Sequence, residues 1–284
     1  MGEPLFSIIL PTRDRPSLLD EALRSVVAQT VDDFECIVVD DGGRQPVRLP
    51  DDPRFSLVRL EGSTGVAAAR NAGIARATGR YVVHLDDDDC YTPERLDLGL
   101  RGMDRAPVSI CWTRDHIWTE SKGWRPTGRV HSPVYEGEAG GTILARRIPH
   151  LGSCTMRRVD IPPFDERFTN GSDIEWWLRV GRGFPVTTEQ EVGYVFRQHR
   201  GTRVTAQLEG RYRSRVLLLD VHRDYFASHK DAAAYHHSNL AKMARDLGRR
   251  RQAVDAFGRS MRYRPRLRTA ALMVHALLAP DPRR

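Results

Sequence analysis

Apolar positions fall in short runs separated by turn residues through the first 110 residues. Residues 6–10 (FSIIL) are apolar without alternation and stop at Pro11, the pattern of a strand buried on both faces. Leu18, Leu19, Ala22, Leu23, Val26 and Val27 then recur at helical spacing, with Pro16 at the start, where a first helical turn tolerates it. Similar apolar runs at 34–39 (FECIVV), 55–60, 81–85 and 108–112 predict four more strands. Residues 65–77 predict a helix of small residues. Thr92, Pro93 and Glu94 read as the cap, first position and first turn of another. Strand alternating with helix specifies an α/β fold with a mostly parallel central sheet and helices on both faces.

The pattern weakens from Thr113 to Arg147, where Gly, Pro and Trp are frequent, and this stretch reads as loops and short strands around a substrate site. Residues 172–180 predict a helix with Trp176, Trp177 and Val180 on its apolar side. Adjacent residues cannot share one helix face, so one tryptophan is expected in the core and the other as a candidate floor for a binding site. Trp112, Trp118 and Trp124 are candidates for stacking on a ligand or for the core. Beyond Thr205 the chain reads as helical throughout, in three or four segments. The run NLAKMARDLGRRRQAVDAFGRSMRYRPRLRTA resembles a single tetratricopeptide-like helix pair. The expected division is a sheet-containing domain over 1–205 and a small all-helical extension over 206–284.

Composition narrows the class. With 284 residues, 40% hydrophobic and 29% charged, the chain can build a sizeable core and is not a disordered polymer. Charge is unevenly distributed: +12 from Arg200 onward and −5 before it, giving +7 in all. Such a basic end suits an anionic partner or a solvated helical face. Cys36, Cys90, Cys111 and Cys154 form no CxxC pair, which points to reduced thiols in a cytoplasmic setting. The N-terminal apolar run is too short for a signal peptide, and Phe6 does not fit a myristoylation motif. The apolar run at 270–279 is too short to span a bilayer. A soluble protein is expected, with at most peripheral membrane contact through the basic C-terminal region.

Two acidic clusters carry the chemistry. Asp86-Asp87-Asp88-Asp89 follows the fourth strand, and Asp40-Asp41-Gly42-Gly43 the second. In open α/β sheets, ligands bind outside the carboxyl ends of the strands, so both clusters belong to one crevice. Four adjacent carboxylates repel one another, and Mg²⁺ or Mn²⁺, which prefers oxygen ligands and phosphate, would relieve that cost. An Asp in the second cluster can accept a hydrogen bond from a nucleobase N–H, although Asp-Gly after a strand is also a common turn.

The blocks SIILPTRDRP, ECIVVDDGG, GVAAARNAGIARATGRYVVHLDDDDCY and GSDIEWWLRV together resemble the family 2 glycosyltransferases of the GT-A fold, over about residues 5–205. The resemblance implies an inverting, hexosyltransferase-type enzyme using a nucleoside-diphosphate sugar. It assigns Pro11, Thr12 and Arg13 to the nucleotide pocket and Asp41, with Asp40 beside it, to the base. Uracil is the usual base, and a thymine nucleotide also fits. Arg70 and Asn71 lie in the ARNxG segment bordering the donor. Asp86 and Asp88 form the DxD pair, with Asp88 on the metal and Asp86 or Asp87 at the ribose or a metal-bound water. Asp173 matches the general base, and Ser172 stands where the family often has a first acid. Glu175 is the rival base, about 200° around the helix. His199, in FRQHRGTRVT, resembles a histidine that touches the metal or the diphosphate in several members.

The expected cofactor is Mn²⁺ or Mg²⁺. The expected partners are a UDP-sugar donor and a small-molecule, glycan or lipid-linked acceptor, with homodimerisation allowed. A sugar nucleotidyltransferase would use a similar sheet, but opens with a Gly-rich GxGxR loop where this chain has PTRDRP. A non-enzymatic binder of anionic polymers would use the arginines, yet these are scattered among helices and no nucleic-acid motif accompanies them; no nucleic acid is expected.

Overall fold

A computed structural model describes residues 2–105, 107–123, 125–130, 137–138, 148–181, 183–199 and 208–278. Trp124 lies outside these residues. The elements run β1 (Phe6–Thr12), α1 (Pro16–Val27), β2 (Phe34–Asp40), β3 (Phe55–Arg59), α2 (Val66–Ile74), β4 (Tyr81–His84), β5 (Cys90–Tyr91), α3 (Arg95–Arg105), β6 (Ile110–Thr119), β7 (Arg125–Val130), β8 (Gly137–Glu138), β9 (Cys154–Arg157), α4 (Ser172–Val180) and β10 (Pro185–Gln198). Helices α5 (Leu208–Val221), α6 (Arg223–Ser228), α7 (Lys230–Asp246), α8 (Arg250–Tyr263) and α9 (Leu267–Leu278) follow.

The chain divides into two units. One comprises Met1–Ala139, Arg147–Glu166 and Trp176–Gly201; the described residues of the other are Arg167–Glu175 and 208–278. In the first, the strands order as β3-β2-β1-β4-β9-β6-β10-β5, with β7 beside β6 and β8 beside β10. Because β9 is antiparallel to both β4 and β6, the strands β3, β2, β1, β4, β6 and β10 all run one way. The sheet is therefore mostly parallel, with β5, β7, β8 and β9 reversed.

The unalternating apolar runs have a direct cause, since β1 feeds two cores. Phe6, Ile8 and Leu10 pack with Leu19, Leu23 and Val26 of α1 and Leu96 and Met103 of α3. Ile9 packs on the other face with Ile37, Val39, Val82 and Ala69 of α2. That second face explains the small residues of α2: a Cβ at Gly73 would come within 2.4 Å of Ile9 Cγ2, so only glycine lets the helix lie this close.

Several expectations need correction. Helix α3 starts at Arg95, after a turn closed by Arg95 N–H on Thr92 O, and Thr92 is not its cap: its hydroxyl donates to Val192 O at 3.2 Å. Both Trp176 and Trp177 are fully buried. Trp176 stacks on Phe164 (5.6 Å) and donates Nε1–H to Pro162 O, while Trp177 meets Trp112 edge-on (5.8 Å). Neither floors an acceptor site. Trp112 is core, and Trp118 is half-buried. All four cysteines are free. In the second unit, five helices are described rather than three or four, and α7 packs on α8 through Ala241, Ala244, Ala253, Ala256 and Phe257.

Candidate active site

The parallel register puts three chain ends side by side. Thr12 at the end of β1 pairs with Asp40 at the end of β2, and β4, on the other side of β1, leads through Leu85 into the acidic run. Asp40, Thr12 and Asp86–Asp88 thus share one carboxyl edge, as the sequence predicts.

The four acids behave differently. The Asp86 side chain is 40% exposed and accepts from Arg70 Nη2 at 2.6 Å. Asp87 is buried, takes the Thr12 hydroxyl at 2.8 Å and Arg15 Nη1 at 2.9 Å, and so pins the turn to the end of β1. Burial, reinforced by the Asp88 charge, pushes its carboxyl up to about 6 although Arg15 and Thr12 pull the other way. Asp88 Oδ2 meets His199 Nε2 at 3.1 Å and Arg15 Nη1 at 3.3 Å. Asp89 is buried under the sheet, accepting from the Tyr194 hydroxyl and from Arg197 N–H at 2.8 Å. Burial, and then the charges of Asp88 and Asp86, raise its carboxyl well above the usual range. Arg197 also donates Nε–H to Asp88 O at 2.8 Å and pairs with Glu21 of α1.

Around the second cluster, Asp40 is buried and accepts Gly43 N–H at 2.8 Å, with Arg59 3.6 Å away. Asp41 accepts from Thr64 N–H (2.7 Å), Gly65 N–H, and the hydroxyls of Ser63 (3.0 Å) and Thr64 (3.1 Å). Arg13, exposed, donates to the same Ser63 hydroxyl. Beside these residues, a cavity of about 270 Å³ is lined by Gly42, Arg59, Leu60 and Glu61. Pro11 is buried in β1.

Arg70 and Asn71 act through one neighbour, Phe164. The Arg70 guanidinium lies 5.5 Å from the Phe164 ring centroid. Both ends of the Asn71 amide are committed: Nδ2 donates to Phe164 O (2.9 Å) and Glu166 Oε1 (2.8 Å), and Oδ1 accepts Phe164 N–H (2.8 Å). Below them His84 is fully buried. Its ring nitrogens have no hydrogen-bond partner among the described residues, and burial, followed by the Arg70 charge, lowers it to about 3.

Asp173 occupies the first turn of α4, half-buried, in the second unit. Its charge acts favourably on Arg215 of α5. Glu175 is 1% exposed and bonded to His222 Nε2 at 3.1 Å, so it is a structural acid within that unit and unsuited to meet an acceptor. Sequence reasoning missed Arg15, Glu21, Tyr194 and Arg197. Arg15 and Arg197 were within reach of it, the first in the TRDRP block and the second two residues before His199.

The sequence model of Glycosyl transferase family 2 matches residues 7–161. The chain belongs to this family. Over 187 residues it is 36% identical to the putative teichuronic acid biosynthesis glycosyltransferase TuaG of Bacillus subtilis, covering 63% of this chain and 72% of that protein. It is 29% identical over 188 residues to WfgD of Escherichia coli, named a UDP-Glc:alpha-D-GlcNAc-diphosphoundecaprenol beta-1,3-glucosyltransferase, covering 63% and 71%. Against several other curated relatives the chain spans only about a third of their length. The crystal structure of Staphylococcus aureus TarS 1-349 superposes with a TM-score of 0.67 at 17% identity, covering 96% of this chain and 86% of that one; the same protein with UDP-GlcNAc gives 0.64 at 16%, covering 96% and 87%. At that identity the likeness bears on the fold, which is GT-A.

Proposed function

We propose that this family 2 glycosyltransferase moves a hexosyl group from a UDP-sugar to an acceptor hydroxyl with inversion, using Mn²⁺ or Mg²⁺ at Asp88 and His199 and Asp173 as general base. The observation that carries the reading is the approach of Asp88 Oδ2 and His199 Nε2 to 3.1 Å across 111 residues of sequence. This carboxylate and imidazole, an oxygen and a nitrogen donor brought together from distant parts of the chain, would hold the ion. They make a pair rather than a cage, since among the described residues no group of three metal-binding side chains occurs. Diphosphate oxygens of the donor would complete the shell of such an ion. When bound, the ion supplies charge neutralisation for the departing nucleoside diphosphate.

The protein's own groups do the rest. Asp41 takes a base N–H, because the Ser63 and Thr64 hydroxyls can rotate and release a lone pair. A thymine nucleotide satisfies the same acceptor. Asp86, half exposed where Asp87 is buried, is the acid that meets the ribose. Arg70 holds Asp86 in place, and Arg13 and Arg15 add positive charge beside the donor. Asp173 removes the acceptor proton as the oxygen attacks the anomeric carbon and the bond to the diphosphate breaks. The specificities named for WfgD and for the TarS complex with UDP-GlcNAc support a UDP-linked donor, and that of WfgD a lipid-linked acceptor. No described helix is long and apolar enough to cross a membrane.

The test is a thermal-shift panel of UDP, dTDP, GDP and CDP, each with and without Mn²⁺. A ligand that binds only the folded state raises Tm by mass action. The expected result is a metal-dependent shift with UDP, lost in Asp88→Ala. A shift with GDP alone would overturn the donor, and a retained anomer by proton NMR would overturn the mechanism.

A further inference from the structure

The last described helix, α9, has an outward face that its position does not explain. Its inner side is ordinary: Ala276 is buried, and Leu272 and Met273 pack against the alanine-rich core of α7 and α8. At about 100° per residue, Leu267, Ala271 and Val274 fall within about 60° of one another on the opposite side. Leu267 is 93% exposed, Val274 49%, and Leu277, at the edge of this face, 40%. An exposed helix face is normally charged. Here the sequence LRTAALMVHALL contains no acid, and Arg268 and His275 flank the apolar stripe on one side. The lead-in adds Arg264 and Arg266, and the last turn of α8 adds Arg262, all exposed. Arg264 and Arg266 pair with Asp231, whereas Arg262 and Arg268 face no carboxylate among the described residues. The 12-residue helix is far too short to span a bilayer.

We infer that the outer face of α9 docks on an anionic bilayer surface. An apolar stripe bordered by arginines, on a segment without acids, is the chemistry of a helix lying in the headgroup layer. Leu267 and Val274 enter the acyl boundary, and Arg262 and Arg268 meet lipid phosphate. Charge complementarity favours this occupant, since the exposed arginines match lipid phosphate whereas a second copy of the same acid-free face would bring no carboxylate to meet them. The face requires neither a donor nor a metal, so it stands apart from the transferase reading.

The experiment is co-sedimentation of the full chain with phosphatidylcholine vesicles, with and without phosphatidylglycerol, at low and high salt. Binding is expected only with the anionic lipid and is expected to weaken with salt. Replacing Leu267 and Val274 together by Glu should lower partitioning by about tenfold or more. The pair Arg262→Gln and Arg268→Gln, which removes no packing, should also lower it, with circular dichroism unchanged. Equal binding to neutral vesicles, no binding to anionic ones, or variants that bind like the parent would overturn the inference. So would a dimer in sedimentation equilibrium that Leu267→Glu dissociates, because the face would then belong to a second copy.

Discussion

Replacing Asn71 by Ala separates two meanings of the ARNxG block. By resemblance Asn71 borders the donor, but its amide makes three hydrogen bonds to Phe164 and Glu166 at 2.8–2.9 Å. The substitution removes all three and leaves the backbone N–H and C=O of Phe164, itself 3% exposed, without those partners. Two neutral bonds contribute about 1 kcal/mol each, and a buried orphaned group costs about 1–3 kcal/mol. The bond to Glu166 lies at the surface and adds little. The expected loss is therefore about 2–4 kcal/mol, read as a lower urea midpoint at unchanged slope. Because the Phe164 ring sits beside the Arg70 guanidinium that holds Asp86, nucleotide affinity should fall along with stability. Asn71→Asp keeps the acceptor for Phe164 N–H but turns a carboxylate toward Glu166, and should recover less than half of the loss. A stability change below about 1 kcal/mol for Asn71→Ala, with nucleotide affinity still reduced, would refute the reasoning and make Asn71 a direct donor contact.

Three further outcomes are expected. Asp88→Asn should abolish Mn²⁺ binding in calorimetry while changing the stability of the metal-free protein by less than about 1 kcal/mol, because lost pairing to Arg15 and His199 is offset by relief of repulsion within the acidic run. Gly152→Ala should destabilise by about 2–4 kcal/mol in denaturant titration: its Cβ would lie 2.1 Å from the Tyr194 ring and drive that ring off Asp89. The buried histidines should cost stability as pH drops below about 6.5, because the unfolded chain protonates them there while burial delays His84 to about 3 and His237 to about 4; this contribution, on the order of 5 kcal/mol by pH 4, is opposed below about pH 6 by Asp87 and Asp89, whose raised carboxyls take up protons first in the folded state. His237→Gln should flatten that profile, measured as Tm against pH.

Which elements were legible follows from what each strand buries. Strands β1, β2 and β4 pack on both faces, so their apolar runs need no alternation and announce themselves. Strand β10 did not, because Glu189 and Glu191 interrupt it and register shifts between Glu189 and Tyr194 reset its faces. Strand β5 at its side, and β9 between β4 and β6, have two and four residues, too few for a periodic signal. Those three strands nonetheless complete the sheet, and β10 delivers Tyr194 and Arg197 to the acidic run. Helix α4 misled in another way. Two adjacent tryptophans suggest one inside and one outside, but Phe164 and Trp112 come from different segments to cover both rings. No local pattern reports such distant neighbours.

The acidic run carries a division of labour that composition hides. Four identical residues look interchangeable, yet the turn after β4 buries the second and fourth and leaves the first most exposed. Asp87 ties the turn to β1 through Thr12, and Asp89 ties it to β10 through Tyr194 and Arg197; Asp86 pairs with the Arg70 guanidinium and is 40% exposed. Paired alanine variants should therefore diverge. Asp89→Ala strands a buried tyrosine hydroxyl and a buried backbone N–H, each costing about 1–3 kcal/mol, with some return because a desolvated carboxyl is removed. Its net cost should be about 2–4 kcal/mol. Asp86→Ala gives up one partly solvated ion pair, worth about 1 kcal/mol or less, and should cost nucleotide affinity instead. Measuring both variants by urea unfolding and by UDP binding decides the matter. Equal destabilisation would mean that the run acts as one electrostatic unit and that the alternation of buried and exposed acids carries no functional division. Divergence in the stated direction would make the i, i+2 spacing of Asp86 and Asp88 a consequence of how this turn is anchored to its neighbouring strands.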